Sequence, residues 1–428
     1  MPFLGTTGAA SVKQFGGQAN LGYFIRNSLR LRASNSAYLS RTFGTPTSGT
    51  TWTWSGWVKL GTIPSTGTLF EAGSGASNTF NRCTFGQVSA ELNWRQVNGV
   101  GSLTAEKGTS MLFRDPATWY HIVCVWDTSN ATAGDRQRVY VNGVRVTSFG
   151  ASTDPSLNLV SYFNTASYVH YIGALNLSGL GAYLDGYLAE VNFIDGQALT
   201  ASSFGKTNAA TNQWIPKKYG GTYGTNGFYL KFADASAATA AAIGKDSSGN
   251  GNNWTPNNIS VTSGVTYDSM TDVPTLTSPT VANYCTLNPL DSNSVTISNG
   301  NLKVTYGSAS WKGARGSIAI PKTGLWKWEV VPTTMTYSFL AVAMASADLT
   351  TSGYTATNVF CWYLDSGEIR YSNVNQTTVT AVTANQVCEV RINNGAVSFY
   401  KDNVLQYTFT QTLNDISRSE EHTSELQS

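Results

Sequence analysis

Three of the six Asn-Gly pairs, those at 98–99, 142–143 and 394–395, restrict the fold of this chain more than any other feature. The clearest lies in RVYVNGVRV, where Val139-Tyr140-Val141 and Val144-Arg145-Val146 flank Asn142-Gly143. Both turn residues tolerate positive φ, as a two-residue type I′ turn requires, and its twist matches that of paired strands. The pattern returns in CEVRINNGAVSFYKDN, with Val390 and Ile392 before Asn394-Gly395 and Val397 and Phe399 after it. ELNWRQVNG places Trp94 and Arg95 before a third hairpin-type turn at Asn98-Gly99. Antiparallel strands are thus fixed in both halves of the chain.

The segments between these turns alternate like strands. WYHIVCVWD sets Tyr120, Ile122, Cys124 and Trp126 against Trp119, His121, Val123 and Val125, so both faces are apolar and the strand is central. TWTWSGWVKL sets Trp52, Trp54 and Val58 against Trp57, an arrangement better suited to core packing than to stacking on sugars. DGYLAEVNFIDGQALTASSFG reads as Tyr187, Ala189, Val191 and Phe193 on one face and Leu188, Glu190, Asn192 and Ile194 on the other. A turn at Asp195-Gly196 and one helical turn closed by Gly205 complete it. With 12% charged residues, 12% aromatics and 41 glycines in 428 residues, the chain suits short strands and polar turns, and its length suits two domains.

The order WYHIVCVWD, RVYVNGVRV, DGYLAEVNFIDGQAL resembles laminin-G-like domains of the concanavalin A-like jelly-roll class, over residues 28–205. From residue 279 a second series, GLWKWEVV, VFCWYLDSGEIRYSNVN and NGAVSFYKDN, resembles a SPRY-like sandwich through Trp326-x-Trp328-Glu329 and its last hairpin. The fold these resemblances imply is all-β: two concanavalin A-like jelly-roll β-sandwiches in tandem. Residues 1–27 read as an N-terminal arm, and 206–278 as a Gly/Asn/Ala-rich segment and linker partly packed on the first sandwich. Residues 279–417 hold the second sandwich, cut short at its C-terminal side, which exposes an edge. The closing RSEEHTSELQS, residues 418–428, breaks the style of the chain and reads as a translated sequencing adapter on a metagenomic fragment.

Several functions are disfavoured by composition. A net charge of +2 with scattered acids and bases offers no phosphate-binding surface, so no nucleic-acid partner is expected. Cys83, Cys124, Cys285, Cys361 and Cys388 form no Cys-x-x-Cys pair, which argues against zinc and a disulfide framework; pairing of Cys361 with Cys388 stays open. No apolar run spans a membrane, and the N-terminus lacks a signal-peptide pattern.

No Gly-x-Ser-x-Gly, His-Glu-x-x-His or Walker A motif occurs. Glu190-Val191-Asn192-Phe193-Ile194-Asp195 is a degenerate form of the Glu-x-Asp-x-x-Glu of laminarinase-type enzymes, with Asn for the helper acid and a turn-forming Asp for the second Glu. His121 reads as a hydrogen-bonded core residue. Asp246, Ser248, Asn250 and Gly251 imitate the start of a calcium loop, but position twelve is Asn257; a turn is the better reading, with calcium as a possible ligand and no other cofactor.

The tandem arrangement resembles tail-fibre or structural proteins of marine tailed phages. That resemblance implies a non-catalytic virion protein, made in the host cytoplasm, adhering to host-surface glycans or to other virion subunits, and an oligomer in some cases. Candidate glycan contacts are Trp94, Arg95, Tyr168, His170, Trp311 and Arg315. The alternatives are a glycan depolymerase acting through Glu190 and a purely structural module.

Overall fold

The computed structural model describes residues 3–4 and 22–413, apart from 62–65, 76–77, 87–88, 100, 279, 293, 307–311, 322, 335–337 and 344–356. Trp311, His422 and the adapter-like tail lie outside the described residues. The chain divides into two compact units: residues 18–290 with 297–303, and residues 1–17, 291–296 and 304–428. Regular structure is almost entirely β, with three single-turn 3-10 helices among the described residues. No helix among them is long and apolar enough to cross a membrane.

In the unit centred on residues 18–290, the strands run β1 (Ser28–Leu31), β2 (Tyr38–Thr42), β3 (Thr51–Leu60), β4 (Gly67–Gly73), β5 (Phe80–Phe85), β6 (Glu91–Val97), β7 (Leu103–Leu112) and β8 (Tyr120–Asp127). They continue as β9 (Gln137–Val141), β10 (Val144–Arg145), β11 (Phe149–Thr153), β12 (Val169–Ile172), β13 (Gly186–Asp195), β14 (Phe228–Leu230), β15 (Thr255–Asn257) and β16 (Ser269–Met270). The first sheet has the order β10-β9-β8-β3-β13-β1-β16, with β14 also on β13; the second has the order β11-β7-β6-β5-β4-β12-β2-β15. Their inner faces share one core of Trp52, Trp54, Ile122, Trp126, Val191 and Phe193 from the first sheet and Phe70, Trp94 and Ile172 from the second.

Alternation in the sequence survives in β3 and β8. Trp52, Trp54 and Val58 enter the shared core while Trp57 packs on the opposite face with Trp119 and Tyr187. Tyr120, Ile122, Cys124 and Trp126 point inward, and Val123 and Val125 pack outside on Ala201 and Phe204. The turn at 142–143 takes φ of +47° and +84°, the left-handed pair that type I′ demands. Asn98-Gly99 departs from expectation. β6 stops at Val97 and β7 starts at Leu103, so the turn is a longer loop in which the Gly101 N–H donates to the Asn98 carbonyl.

The larger departure is in β13. Its register on β3 shifts between Ala189 and Asn192, and Glu190 sits at φ +52°. This bulge exchanges the faces partway along the strand: Leu188 joins Val191 and Phe193 in the shared core, whereas Tyr187 and Ala189 pack outside. A left-handed non-glycine residue costs ~1 kcal/mol, which the pairing on both sides of the bulge offsets.

Residues outside 28–205 complete this unit. β14 pairs with β13, β15 with β2 and β16 with β1. They also carry counter-charges: Asp268 receives Arg30 and Arg32, and Asp272 receives Lys59, whose ammonium is fully buried. Ile25, expected in a loose arm, is buried beside Trp57 and Val273. The apolar side chain at 25 and the acids at 268 and 272 therefore extend the unit at both ends.

In the other unit, β17 (Leu325–Val330), β22 (Cys388–Asn393), β23 (Ala396–Lys401) and β24 (Val404–Thr412) form one sheet, with Phe3–Leu4 paired to β17. β18 (Phe339–Ala343), β19 (Val359–Tyr363), β20 (Glu368–Tyr371) and β21 (Val374–Thr378) form another. Trp326, Val390, Ile392 and Phe399 of the first pack on Leu340, Phe360 and Trp362 of the second. Cys361 and Cys388 are free and sit in different apolar clusters, so they are not paired.

Candidate functional site

On the second sheet, the face turned away from the core carries a row of charge running across the strands. Phe70 and Ala72 of β4 point inward, so Glu71 points outward. Glu71 stands opposite Arg82, Arg82 opposite Arg95, and Arg95 opposite Glu106. On its other side Glu71 faces Tyr171 of β12. The Tyr171 ring lies 6.0 Å from that of Tyr38, which lies 6.2 Å from Tyr183, and all three rings are half-buried. The next row holds Thr68 opposite Thr84 and Thr84 opposite Asn93.

Hydrogen bonding on this face is incomplete. The Asn176 N–H donates to Glu71 Oε2 at 3.1 Å, and Asn93 Nδ2 donates to Glu106 Oε1 at 2.9 Å. Glu71 Oε1, Thr68 Oγ1, Asn93 Oδ1 and Arg95 Nε are buried with no partner among the described residues. Each unmet buried group costs about 1–3 kcal/mol, a cost that a ligand rich in hydroxyls would remove. Burial pushes the Glu71 carboxyl up to about 8, against opposing contributions from the Asn176 N–H and Arg82. Burial, then the like charge of Arg95, brings the Arg82 guanidinium down to about 10. Near neutral pH the row therefore holds, just beneath the surface, an uncharged carboxyl, guanidinium N–H groups, and amide and hydroxyl acceptors beside three half-buried phenol rings.

Because the folded Glu71 holds its proton above the ordinary value of 4.5, the stabilisation is present at acid pH. It is lost as pH rises toward about 8. Melting curves from pH 5 to 9 should fall more steeply for the native chain than for Glu71→Gln; parallel curves would contradict the assignment.

Of the surface contacts expected from sequence, only Arg95 joins this row. Trp94 is a correction: its neighbour faces outward, so it faces inward, fully buried, with Nε1 donating to Asn81 Oδ1 at 2.8 Å. His170 is another, fully buried and stacked 3.6 Å from the Phe43 ring. The Asn164 N–H donates to its Nε2, so Nδ1 carries the hydrogen and donates to the Tyr168 carbonyl. Burial lowers this imidazole to about 3. Tyr168 is half-buried beside Tyr162, away from the row. Arg315, in the other unit, is exposed and paired with Asp291.

Other candidate chemistry is occupied. His121 lies 2.9 Å from Ser55 Oγ, but Trp214 Nε1 donates to its Nδ1, so Nε2 bears the hydrogen and cannot take one from the serine. Asp246 accepts from the Tyr229 N–H and Ser248 N–H at Oδ1 and from Ser248 Oγ and the Asn252 N–H at Oδ2, a turn with its carboxylate fully engaged. Asp195, the would-be second acid after Glu190, accepts from the N–H groups of Thr47, Ser48 and Asn226 and from Asn164 Nδ2. Glu190 Oε2 is held by two tyrosine hydroxyls, with no second carboxylate against it among the described residues. A retaining pair, which needs two acids about 5–5.5 Å apart with one free to attack, is not assembled there.

Two sheets packed as a jelly roll with a polar, tyrosine-edged outer face define a lectin-like β-sandwich. Residues 33–205 match the Laminin_G_3 family model of the concanavalin A-like lectin/glucanases superfamily. No curated protein sequence matches the chain. Among solved structures it is similar to a carbohydrate-binding candidate from Bacteroides ovatus ATCC 8483, at 15% identity over 55% of this chain and TM-score 0.38. The chain spans 59% of that protein's length. Mouse laminin alpha1 domains LG4-5 are similar at 9% identity, over 91% of this chain and 79% of theirs, with TM-score 0.34. The CBM40 of Ruminococcus gnavus IT-sialidase, bound to α2,3-sialyllactose, is similar at 10% identity, over 35% of this chain and 85% of its own, with TM-score 0.26.

Proposed function

We propose that the protein is a non-catalytic carbohydrate-binding protein and that the outer face of its second sheet holds the sugar. The observation carrying this reading is the set of unmet buried polar atoms at Glu71, Thr68, Asn93 and Arg95 beside the half-buried rings of Tyr171, Tyr38 and Tyr183. Rings of this kind pack on the apolar faces of sugars, and the polar row reads hydroxyls. The uncharged Glu71 and the mixture of acids and bases in the row suit a hydroxyl-rich ligand more than a densely charged one.

The adhesive is, in this reading, part of a tailed-phage particle and acts on host-surface glycans. Support comes from the sequence resemblance of the tandem units to tail-fibre proteins, the second being SPRY-like in its Trp326-x-Trp328-Glu329 and NGAVSFYKDN segments. A glycan array probed with the full chain tests the binding. Tyr171→Ala is expected to weaken the best glycan about tenfold, equivalent to about 1.4 kcal/mol. Retention of no glycan, or an unchanged affinity in Tyr171→Ala, would remove the assignment. Detection of the protein in purified particles tests the location separately.

A further inference from the structure

The bulge at Glu190 holds a second group whose chemistry the binding face does not use. Glu190 Oε2 accepts from Tyr23 Oη at 2.5 Å and from Tyr229 Oη at 2.5 Å. The two phenol oxygens are themselves 2.6 Å apart. Each of the three oxygens therefore lies within hydrogen-bond distance of the other two. Separations this short need a hydrogen along each edge, because without one the lone pairs face each other. The two phenols bring two hydrogens for three edges. The third has one source, the carboxyl group.

We infer that Glu190 is a neutral carboxylic acid at neutral pH, closing a ring of three O–H···O bonds with Tyr23 and Tyr229 that latches the start of the unit onto the first sheet and opens when the acid ionises. In the ring each oxygen donates once and accepts once. Ionisation sends the carboxyl proton to solvent and leaves two hydrogens for three edges, so one phenol must withdraw. Tyr229 is fixed in β14 and buried, whereas Tyr23 precedes β1 and is half-buried, so Tyr23 is the one that leaves.

The charges around the ring agree with this assignment. Burial raises the Glu190 carboxyl, against the two phenol hydrogen bonds and the positive charges of Lys231 and Lys218. Burial and the proximity of Glu190 raise both phenols as well, so neither supplies the missing charge by ionising first. Tyr223 stacks on Tyr229 with centroids 6.4 Å apart and donates to Asn192 Oδ1, outside the ring. Ile25 forms a hold that does not titrate: its N–H donates to Thr275 Oγ1, and its carbonyl accepts from the same hydroxyl. Opening is therefore confined to the residues before Ile25.

The test uses the full chain with Glu190→Gln and Tyr23→Phe. Glutamine has no titrating proton, and its amide nitrogen in the place of Oε2 can donate one hydrogen to each phenol oxygen while one phenol donates to the other, so that variant keeps a hydrogen on every edge. Because Glu71 also keeps its proton near pH 7, the infrared test is made in Glu71→Gln, which should still show a protonated side-chain carboxyl band at pH 7 that disappears when Glu190→Gln is added. The folded state retains a proton that the unfolded chain has released, so the folding equilibrium constant should fall up to tenfold per pH unit above the ordinary glutamate range, relative to Glu190→Gln. Hydrogen exchange at residues 22–24 should accelerate with pH beyond the intrinsic rate in the native chain, and be fast at every pH in Tyr23→Phe. No carboxyl band at pH 7 in Glu71→Gln, or parallel pH profiles for the native chain and Glu190→Gln, would overturn the proposal. Should Glu190→Gln fail to fold, slow exchange at residues 22–24 in Tyr23→Phe would overturn it instead.

Discussion

Replacing Asp268 with alanine is expected to destabilise the unit it belongs to by about 3–5 kcal/mol, the cost of stranding buried charge. Asp268 is fully buried and takes Arg30 Nε at 3.0 Å, Arg32 Nε at 2.8 Å, Arg32 Nη2 at 2.9 Å and the Ser260 N–H at 2.8 Å. Arg30 and Arg32 are themselves buried, so neither guanidinium can turn to water when the carboxylate goes. The loss should appear as a lower denaturant midpoint at unchanged m-value. A triple variant with apolar residues of similar volume at 30, 32 and 268 should recover much of the stability, since the penalty comes from unpaired charge. An Asp268→Ala protein as stable as the native chain would show that water reaches these arginines.

Trp52→Ala is expected to cost about as much, 3–5 kcal/mol, by a different route. Trp52 is fully buried, and its ring meets those of Phe70, Trp94, Trp126, Phe163 and Phe193 at centroid distances of 5.3–6.3 Å. Those neighbours come from both sheets and from the loop before β12, so no single element can shift inward to fill the space. Equilibrium unfolding should show the loss, and Trp52→Phe should recover part of it. A loss under about 1 kcal/mol for the alanine would mean that the two sheets close over the gap.

The architecture was legible wherever one face of a strand is uniformly apolar. Trp52 and Trp54 against Trp57, and Ile122 and Cys124 against Val123 and Val125, could be assigned to faces because period-two patterning persists through β3 and β8. β13 defeats the same argument. Its residues alternate cleanly on paper, and the extra residue at Glu190 leaves no mark in composition, since glutamate is not a residue that favours positive φ. The segment after 205 was legible only as polar turns: β14, β15 and β16 have three, three and two residues, too few to show a period.

The polar row was mostly hidden for a related reason. Glu71, Arg82, Arg95 and Glu106 lie on four strands, and only the pairing register brings them together. Arg95, singled out beside Trp94 in the sequence, lies in the outer row, whereas Trp94 is turned into the core. In a strand, consecutive residues face opposite ways, so one of two neighbours must be turned from the surface. Alternation around the inward Phe70 and Ala72 was the one signal that marks Glu71 as outward.

The late strands set how this module can be handled. A fragment trimmed to the stretch that matches the superfamily would begin after Arg30 and Arg32 and end before Asp268 and Asp272. It would keep Lys59 with no acid at its ammonium, and β2 and β13 would lose the partners that close their flanks. Bare strand flanks recruit neighbouring chains, so such a piece would come out of expression as aggregate. Cloning boundaries for crystallisation, display or fusion belong near residues 22 and 303.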